Sequence, residues 1–567
     1  MPENLYYNCV MMNEIELYKL NKAIAKSCLD AKDIDGAIKY YEEYFKQLKT
    51  KIEENSDNQA FIDEYNSEYA IYSDFLFNKA KSEYAKKNWL SCTKYCKKLI
   101  ESKKCDSSVY KHAGLCFRHL KQFDEALDLL LYYNRLEPED PANLCNLAEA
   151  YYNADKNKYA KKAIELYTKF IEKNPASAPA YNALGQIYAT TQDKEVSDVQ
   201  KQLYYFSKAR ELAPKNKTIA RNVVLTYEKM GDLNKASILY DEIYKSHKEE
   251  FTHDDFYDYA AFKIKTGDFI KGWSLLDHRF QKETSPTFYP NIEKPLWNGQ
   301  THIANKTLLV HCEQGFGDVI MYIRFVHDIK KFAKNVITIV QDELLDLFKE
   351  SNLDFPIYPR FYPLKKLNFD YQIPMMSLPR ILKTTPQSIP STGGYLTVRQ
   401  DRVDAFKNAY IKTNKFKIGI CLEGAASGKK EERDVDWSYL EKFGVFKNIQ
   451  FYCLKNDLDK EFFKKTCPSI NVECFGSNLK SFADTAAAIK NMDLIISTDN
   501  VILNLSGALG VKTFGLYNLN REYRWYGVEE GKVIWYDSVK PFQAKVQNEW
   551  DSVIDDVIKN IKALNVC

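Results

Sequence analysis

Two hydrophobic rhythms divide this chain. From residue 1 to about 285, apolar positions recur at helical spacing, glycine is sparse and no stretch alternates as a half-buried strand does. Within that region the pattern repeats. Ser107 to Pro138 carries Gly114 and Phe117 on a first helix, Phe123-Asp124-Glu125-Ala126 at the start of a second, and Pro138 at its end. The next unit repeats this with Ala148, Tyr151, Ala163, Tyr167 and Pro175, and Gly114 to Ala148 is 34 residues. A third unit has Gly185, Tyr188, Phe206, Ala209 and Pro214, and a fourth Tyr227, Gly231, Ala236 and Tyr240; weaker copies occupy Asp33 to Phe45, Tyr84 to Ile100 and Tyr259 to Trp273. Small residues fall where paired helices approach, and the tyrosines fill the spaces between units. Extra residues near Lys156 and from Asp193 to Val199 lengthen two loops.

The period is that of tetratricopeptide repeats, so residues 1–285 are expected to form an α-solenoid whose concave face binds a protein partner. At Pro286 to Pro295 prolines and aromatics interrupt the helical rhythm, and short β-branched runs then alternate with helical stretches, which points to parallel sheets. Thr307 to Val310, Val336 to Val340 and Tyr371 to Ile373 read as strands of a lobe spanning 286–410. Phe416 to Leu422, Phe451 to Leu454, Asn471 to Cys474, Leu494 to Ser497 and Lys512 to Leu516 read as strands of a second, 411–567, divided from the first near Arg399 to Asn414. A helix around Trp550 to Leu564 is expected to brace the two. The fold class is thus an α-solenoid followed by two doubly wound, Rossmann-like α/β lobes, with a cleft between the carboxyl ends of their strands, where ligands of such sheets bind.

Two strand–turn–helix stretches border that cleft. TLLVHCEQGFGDVIMYIRF, from Thr307 to Phe325, turns through Gly315 and Gly317, and the helix start that comes next favours anions such as nucleotide phosphates. It has neither the dinucleotide glycine fingerprint nor the Lys-Ser/Thr of a phosphate-binding loop. The second stretch runs from Ser481 to Asn518. There Thr498, Asp499 and Asn500 follow a buried strand and open a helix carrying Ser506, Gly507 and Ala508; Asp499 and Asn500 suit either capping or binding of hydroxyls.

Charge narrows the classes of function. Against 80 Lys and Arg stand 77 Asp and Glu, a net +3, so no whole-chain field points to nucleic acid or a membrane. No apolar run reaches the roughly 18 residues of a membrane span. The 13 cysteines are scattered and the amino terminus has no charged-then-apolar signal, which reads as reduced thiols in a cytoplasmic compartment. Cys92 and Cys96 are one helical turn apart without a matching pair, and suit core packing better than zinc. The acidic pairs Asp434/Asp436 and Asp457/Asp459 follow no convincing strand end, so no metal site is expected. Trp525, Trp535, Tyr536 and Trp550 suit either a sugar site or the core.

The second half resembles glycosyltransferase family 9, the ADP-heptose heptosyltransferase group with the GT-B fold, preceded by tetratricopeptide repeats. The matching pieces come in order: Gly272-Trp273 with His278-Arg279; Pro295 to Gly299; Glu313 to Asp318; Ser377-Leu378-Pro379; Ile389-Pro390; Tyr395-Leu396. They continue with Phe482 to Ala486, Asp499 to Gly510, Arg524-Trp525, Trp535-Tyr536 and Trp550. The resemblance implies transfer of a sugar from a nucleotide-sugar donor to an acceptor hydroxyl, with no metal and no other cofactor, the donor on the carboxyl-terminal lobe and the acceptor on the other. It implies Asp318 as general base, a position equally suited to a helix cap, with Glu313 as a second candidate. Arg433 is the implied diphosphate partner, aided by Lys430, with Gly315, Gly317, Asp484, Thr485, Thr498, Asp499, Asn500 and Asn504 on the donor side. The acceptor is expected to be a glycan or a protein held by the repeats, whose concave face is expected to continue toward the cleft.

Two departures bear on activity. Asn504 stands where relatives carry histidine and cannot supply a cationic imidazole. Glu423 stands in the loop after the first strand of the second lobe, where a carboxylate would repel phosphates. The alternative is therefore a non-catalytic repeat scaffold with a degenerate sugar-nucleotide domain.

Overall fold

The computed structural model describes residues 14–55, 58–102, 105–193, 195–284, 291–424 and 433–564. The chain divides into two compact units, Met1–Pro214 and Lys215–Cys567.

The first unit is entirely helical among its described residues. Five antiparallel hairpins succeed one another: Glu14–Asp30 with Ile34–Glu54, Gln59–Ala85 with Trp89–Glu101, Ser107–His119 with Phe123–Leu136, Pro141–Ala154 with Ala160–Lys173, and Ala178–Thr190 with Val199–Leu212. These are tetratricopeptide-type repeats. The third and fourth hairpins start at Ser107 and Pro141, 34 residues apart, and the fifth at Ala178, 37 further on. Short polar side chains start the helices: Asp33, Asn88, Asp106, Asp140 and Asp198 each accept a backbone N–H of the first turn. The small residues sit where the pattern requires them. A Cβ on Gly114 would lie 2.7 Å from Leu130, and one on Gly185 would lie 2.6 Å from the Phe206 ring. Tyr41, Tyr44, Tyr72, Tyr167 and Tyr188 are buried between helices, and so are Cys92 and Cys96.

The second unit opens with two more hairpins, Lys217–Lys229 with Leu233–His247 and His253–Lys265 with Phe269–Leu275. They are locked to the α/β part of the same unit. Gly231 and Gly267 have φ of +78° and +92°, a left-handed turn that glycine adopts without strain, and a Cβ on either would meet Leu519 at 3.2 Å or the Tyr526 ring at 2.8 Å. Buried Lys265 bonds Glu228 at 3.1 Å and Asn520 at 2.5 Å, while the Trp273 indole donates to the Thr384 carbonyl.

Among the described residues ten strands then form two parallel sheets. β1 (Thr307–His311), β2 (Asn335–Val340), β3 (Ile357–Pro359) and β4 (Tyr371–Pro374) are ordered β3-β2-β1-β4, with Leu309 opposite both Ile337 and Gln372. The Pro295–Gly299 stretch lies along β4, where Trp297 N–H donates to Gln372 and its ring is buried. β5 (Phe416–Cys421), β6 (Ile449–Cys453), β7 (Val472–Cys474), β8 (Leu494–Thr498), β9 (Thr513–Tyr517) and β10 (Val539–Gln543) are ordered β10-β9-β8-β5-β6-β7. Helices connect successive strands, as parallel pairing demands.

Two details add to the sequence reading. The stretch expected to divide the lobes is a helix, Gln400–Tyr410, which buries Val403 and Phe406 and packs on the Phe482–Lys490 helix of the second sheet. The last helix, Asp551–Lys562, places Val553, Ile554, Val557 and Ile561 in the core of the second sheet rather than bracing both.

Candidate active site

Loops at the carboxyl ends of both sheets meet on one ionic cluster. After β1 the chain turns through Gln314 and Gly315 into the seven-residue helix Phe316–Tyr322, which has no side-chain N-cap. Asp318, in its first turn, accepts the Gly315 backbone N–H and lies 2.7 Å from the guanidinium of Arg524, in the loop after β9. Its side chain is 15% exposed and that of Arg524 18%. Burial pushes the Asp318 carboxyl up; Arg524 and, more weakly, Arg433 oppose that. Arg524 also reaches Glu522 at 3.7 Å and lies over the Tyr523 ring. Tyr257, from the last helical hairpin, packs edge-on against Tyr523, so the repeat helices of this unit supply one wall.

Asp499 follows β8 beside the same arginines. Burial, then the charge of Glu522, raise its carboxyl to about 6, against the pull of Arg524, Trp525 and Arg433. Arg433 follows β5, and its Nε is buried without a partner among the described residues. Two cations, Arg433 and Arg524, thus face three carboxylates, Asp318, Asp499 and Glu522.

Other expected site residues are spent on structure. Glu313 forms a bidentate pair with Arg279, at 3.0 and 2.8 Å, and also accepts Met376 N–H. The pair is all but sealed from solvent, with Ser377 and Asp277 completing the shell of Arg279, so Glu313 is not offered to a substrate. Asn500 caps the Val501–Ala508 helix, accepting Ile502 and Leu503 N–H, and its amide donates to Thr498 and to the Cys421 carbonyl. Asn504 is buried under Gly317, where a Cβ would lie 3.0 Å from its amide; it donates to Asn500 and accepts the Tyr536 hydroxyl. Thr498 is fully buried. Asp484 pairs with Arg402 at 2.7 Å, and Thr485 donates to Ser481 within its own helix. Gly317 meets the second corner at Asn504 and Val501, whereas Gly315 faces only Asp318, and a carboxylate already at that helix start opposes a second anion there. Lys430 lies outside the described residues, as does Lys429.

Several concerns raised by the sequence resolve locally. Glu423 is neutralised by Lys455 at 2.9 Å. Asp434 accepts the Gly424 N–H, Asp436 and Asp459 cap helices, and Asp457 pairs with Lys455. Trp525, Trp535, Tyr536 and Trp550 are buried. Among the described residues no three His, Cys, Asp or Glu side chains are grouped to hold a metal, and no helix is long and apolar enough to cross a membrane. A depression of about 500 Å³ lined by Gly510, Lys512, Asp537 and Lys540 lies at the amino ends of β9 and β10, away from the cluster.

Sequence reasoning missed Arg524, Glu522 and Tyr257 as site residues. Arg524 was visible as part of a matching Arg-Trp pair, but nothing local ties it to Asp318. Fold and site define a helical-repeat protein carrying an α/β unit with a charged cluster at its strand ends. No protein-family profile matches the chain. It is similar to Protein FlbA of Caulobacter vibrioides, 24% identical over 469 residues, covering 76% of this chain and 74% of that one. That share exceeds either compact unit, so the similarity runs through both. Among solved structures, MamA of Desulfovibrio magneticus RS-1 covers 32% of this chain and 97% of its own at 16% identity and a TM-score of 0.29. MamA from AMB-1 covers 32% and 93% at 17% and 0.27.

Proposed function

We propose that the 215–567 unit is a glycosyltransferase that moves a sugar from a nucleotide-sugar donor to an acceptor hydroxyl. The observation that carries this reading is the meeting of both sheets' carboxyl-end loops on the Asp318–Arg524–Asp499 cluster, the place where parallel α/β sheets bind ligands. The two sheets are then Rossmann-like lobes in a GT-B-like arrangement, 286–410 holding the acceptor and 411–567 the donor. Asp318 takes the proton of the acceptor hydroxyl, whose oxygen bonds to the anomeric carbon. The bond from that carbon to the phosphate oxygen breaks, and its electron pair leaves with the nucleoside diphosphate. Arg433 and Arg524 meet the charge on that leaving group, and Asp499 faces the sugar. Gly317, Thr498, Asn500 and Asn504 hold the two corners in register rather than touching the donor, and Glu313 positions the turn.

The first test is a thermal-shift screen of nucleoside diphosphates and their sugar conjugates, then a transfer assay with the ligand that stabilises most. Selective stabilisation and turnover are expected; a folded protein with no shift at millimolar ligand overturns the reading. The second reading, a non-catalytic scaffold, is favoured by the engagement of Asp318 with Arg524 and by the enclosure of Asn504, and predicts binding without turnover. A protein acceptor guided by the repeats fits the helical array, with a cytoplasmic setting suited to the eleven free cysteines among the described residues. A chain starting at Lys215 should then bind nucleotide normally while transfer to the natural acceptor falls; unchanged transfer removes the repeats from acceptor choice.

A further inference from the structure

At both helix starts bordering the cleft a side chain of the protein takes a backbone amide, although only the second helix is capped by one. Asp318 takes the Gly315 amide, and Asn500 takes those of Ile502 and Leu503. Among the described residues the positive charge at the cluster rests on Arg433 and Arg524, both acting on Asp318 and Asp499. Arg524 is already engaged: it lies 2.7 Å from Asp318 and 3.7 Å from Glu522, and its buried Nε has no partner among the described residues. A guanidinium has five N–H donors in a planar fork, so this one retains capacity for a further anion. The same contact handicaps Asp318 as a base. A carboxylate bonded to a guanidinium has one oxygen occupied and its proton affinity lowered. A diphosphate offers that fork paired oxygens and more charge than a single carboxylate.

We infer that Arg524 is a latch on Asp318, released when the diphosphate of a donor draws the guanidinium away, so that the base is freed once the donor is in place. The inference rests on the glycosyl-transfer reading and adds an order to it: donor first, then removal of the acceptor proton. The charged and titratable groups around the latch are Asp318, Glu522, Asp499 and Arg433, with Tyr257, Tyr322 and Tyr523. Burial alone would raise Asp318, so losing Arg524 moves its carboxyl further toward the range of an effective base.

Competition for one guanidinium can be measured without knowing the sugar. Full-length protein, Asp318→Asn, Arg524→Ala and the double variant are titrated calorimetrically with UDP, ADP, GDP and CDP, and with inorganic pyrophosphate as a nucleotide-free probe. Asp318→Asn should tighten binding about five- to tenfold, because the ion pair no longer has to break. Arg524→Ala should weaken it about tenfold or more, and in that background Asp318→Asn should gain less than about twofold. Equal gains in both backgrounds would mean simple removal of a negative charge near phosphate, and would overturn the latch; so would an unchanged affinity in Asp318→Asn. Should Arg524→Ala fail to melt cooperatively, Arg524→Lys keeps the charge without the fork and should lose most of the gain. Folded wild-type protein that binds none of the nucleoside diphosphates overturns the transfer reading itself, a result distinct from binding without coupling.

Discussion

The corners after β1 and β8 are built alike, a buried strand turning into a short helix, yet they use their polar residues differently. After β8, Asn500 and Asn504 spend their side chains inside the protein, and Thr498 is sealed. After β1 the work is split. Glu313 is locked to Arg279 in the core, while Asp318, five residues on, faces a partly exposed arginine that something else can compete for. Saturated polar groups specify shape; a group whose partner can be exchanged is available for chemistry. On the proposed reading Asp318 and Asp499 serve the chemistry, while the bonds of Glu313, Asn500 and Asn504 hold the fold.

Substitutions can break this division. The largest effect is expected from Glu313→Ala, which takes from the buried Arg279 its bidentate carboxylate and leaves it Asp277, Ser377 and the Leu276 carbonyl: about 3–5 kcal/mol of stability, read from the shift of a urea midpoint. Asn500→Ala removes two cap bonds and the tie to Cys421, at about 2–3 kcal/mol in the same measurement. For Asp499 the sign depends on pH. Its native carboxyl is raised to about 6 from 3.8, so the native state binds the proton more tightly, and this group makes stability fall as pH rises between those values. Asp499→Asn should therefore be more stable than wild type by up to about 3 kcal/mol at pH 7, with the difference shrinking toward pH 4. Asp318→Asn should change stability least, by less than about 1 kcal/mol, while transfer falls about a hundredfold or more. A large stability loss at Asp318, or a negligible one at Glu313, would collapse the distinction between the corners.

How much was legible in the sequence depends on how local each cause is. Val336 to Val340 and Leu494 to Ser497 read correctly as buried parallel strands because their apolar runs are short and bounded, and Gly114, Ala148 and Gly185 announced helix contacts through spacing alone. The helix at Gln400–Tyr410 escaped because only Val403 and Phe406 point inward from a charged segment. Arg524 and Asp318 are brought together by the folding of two sheets, and Arg279 and Glu313 by the docking of a repeat hairpin, so no periodicity records either pair. The enclosure of Asn504 likewise depends on Gly317 arriving from the other sheet.

The left-handed turns at Gly231 and Gly267 carry a practical corollary for building chimaeras. Because the turns press on Leu519 and Tyr526, the hairpins from Lys217 to Leu275 travel with the α/β unit as its fitted collar. A foreign repeat array is therefore best joined at the Pro214–Lys215 junction. A splice near residue 285 would discard Tyr257, Arg279 and the seat of the Leu519–Tyr526 loop in a single cut.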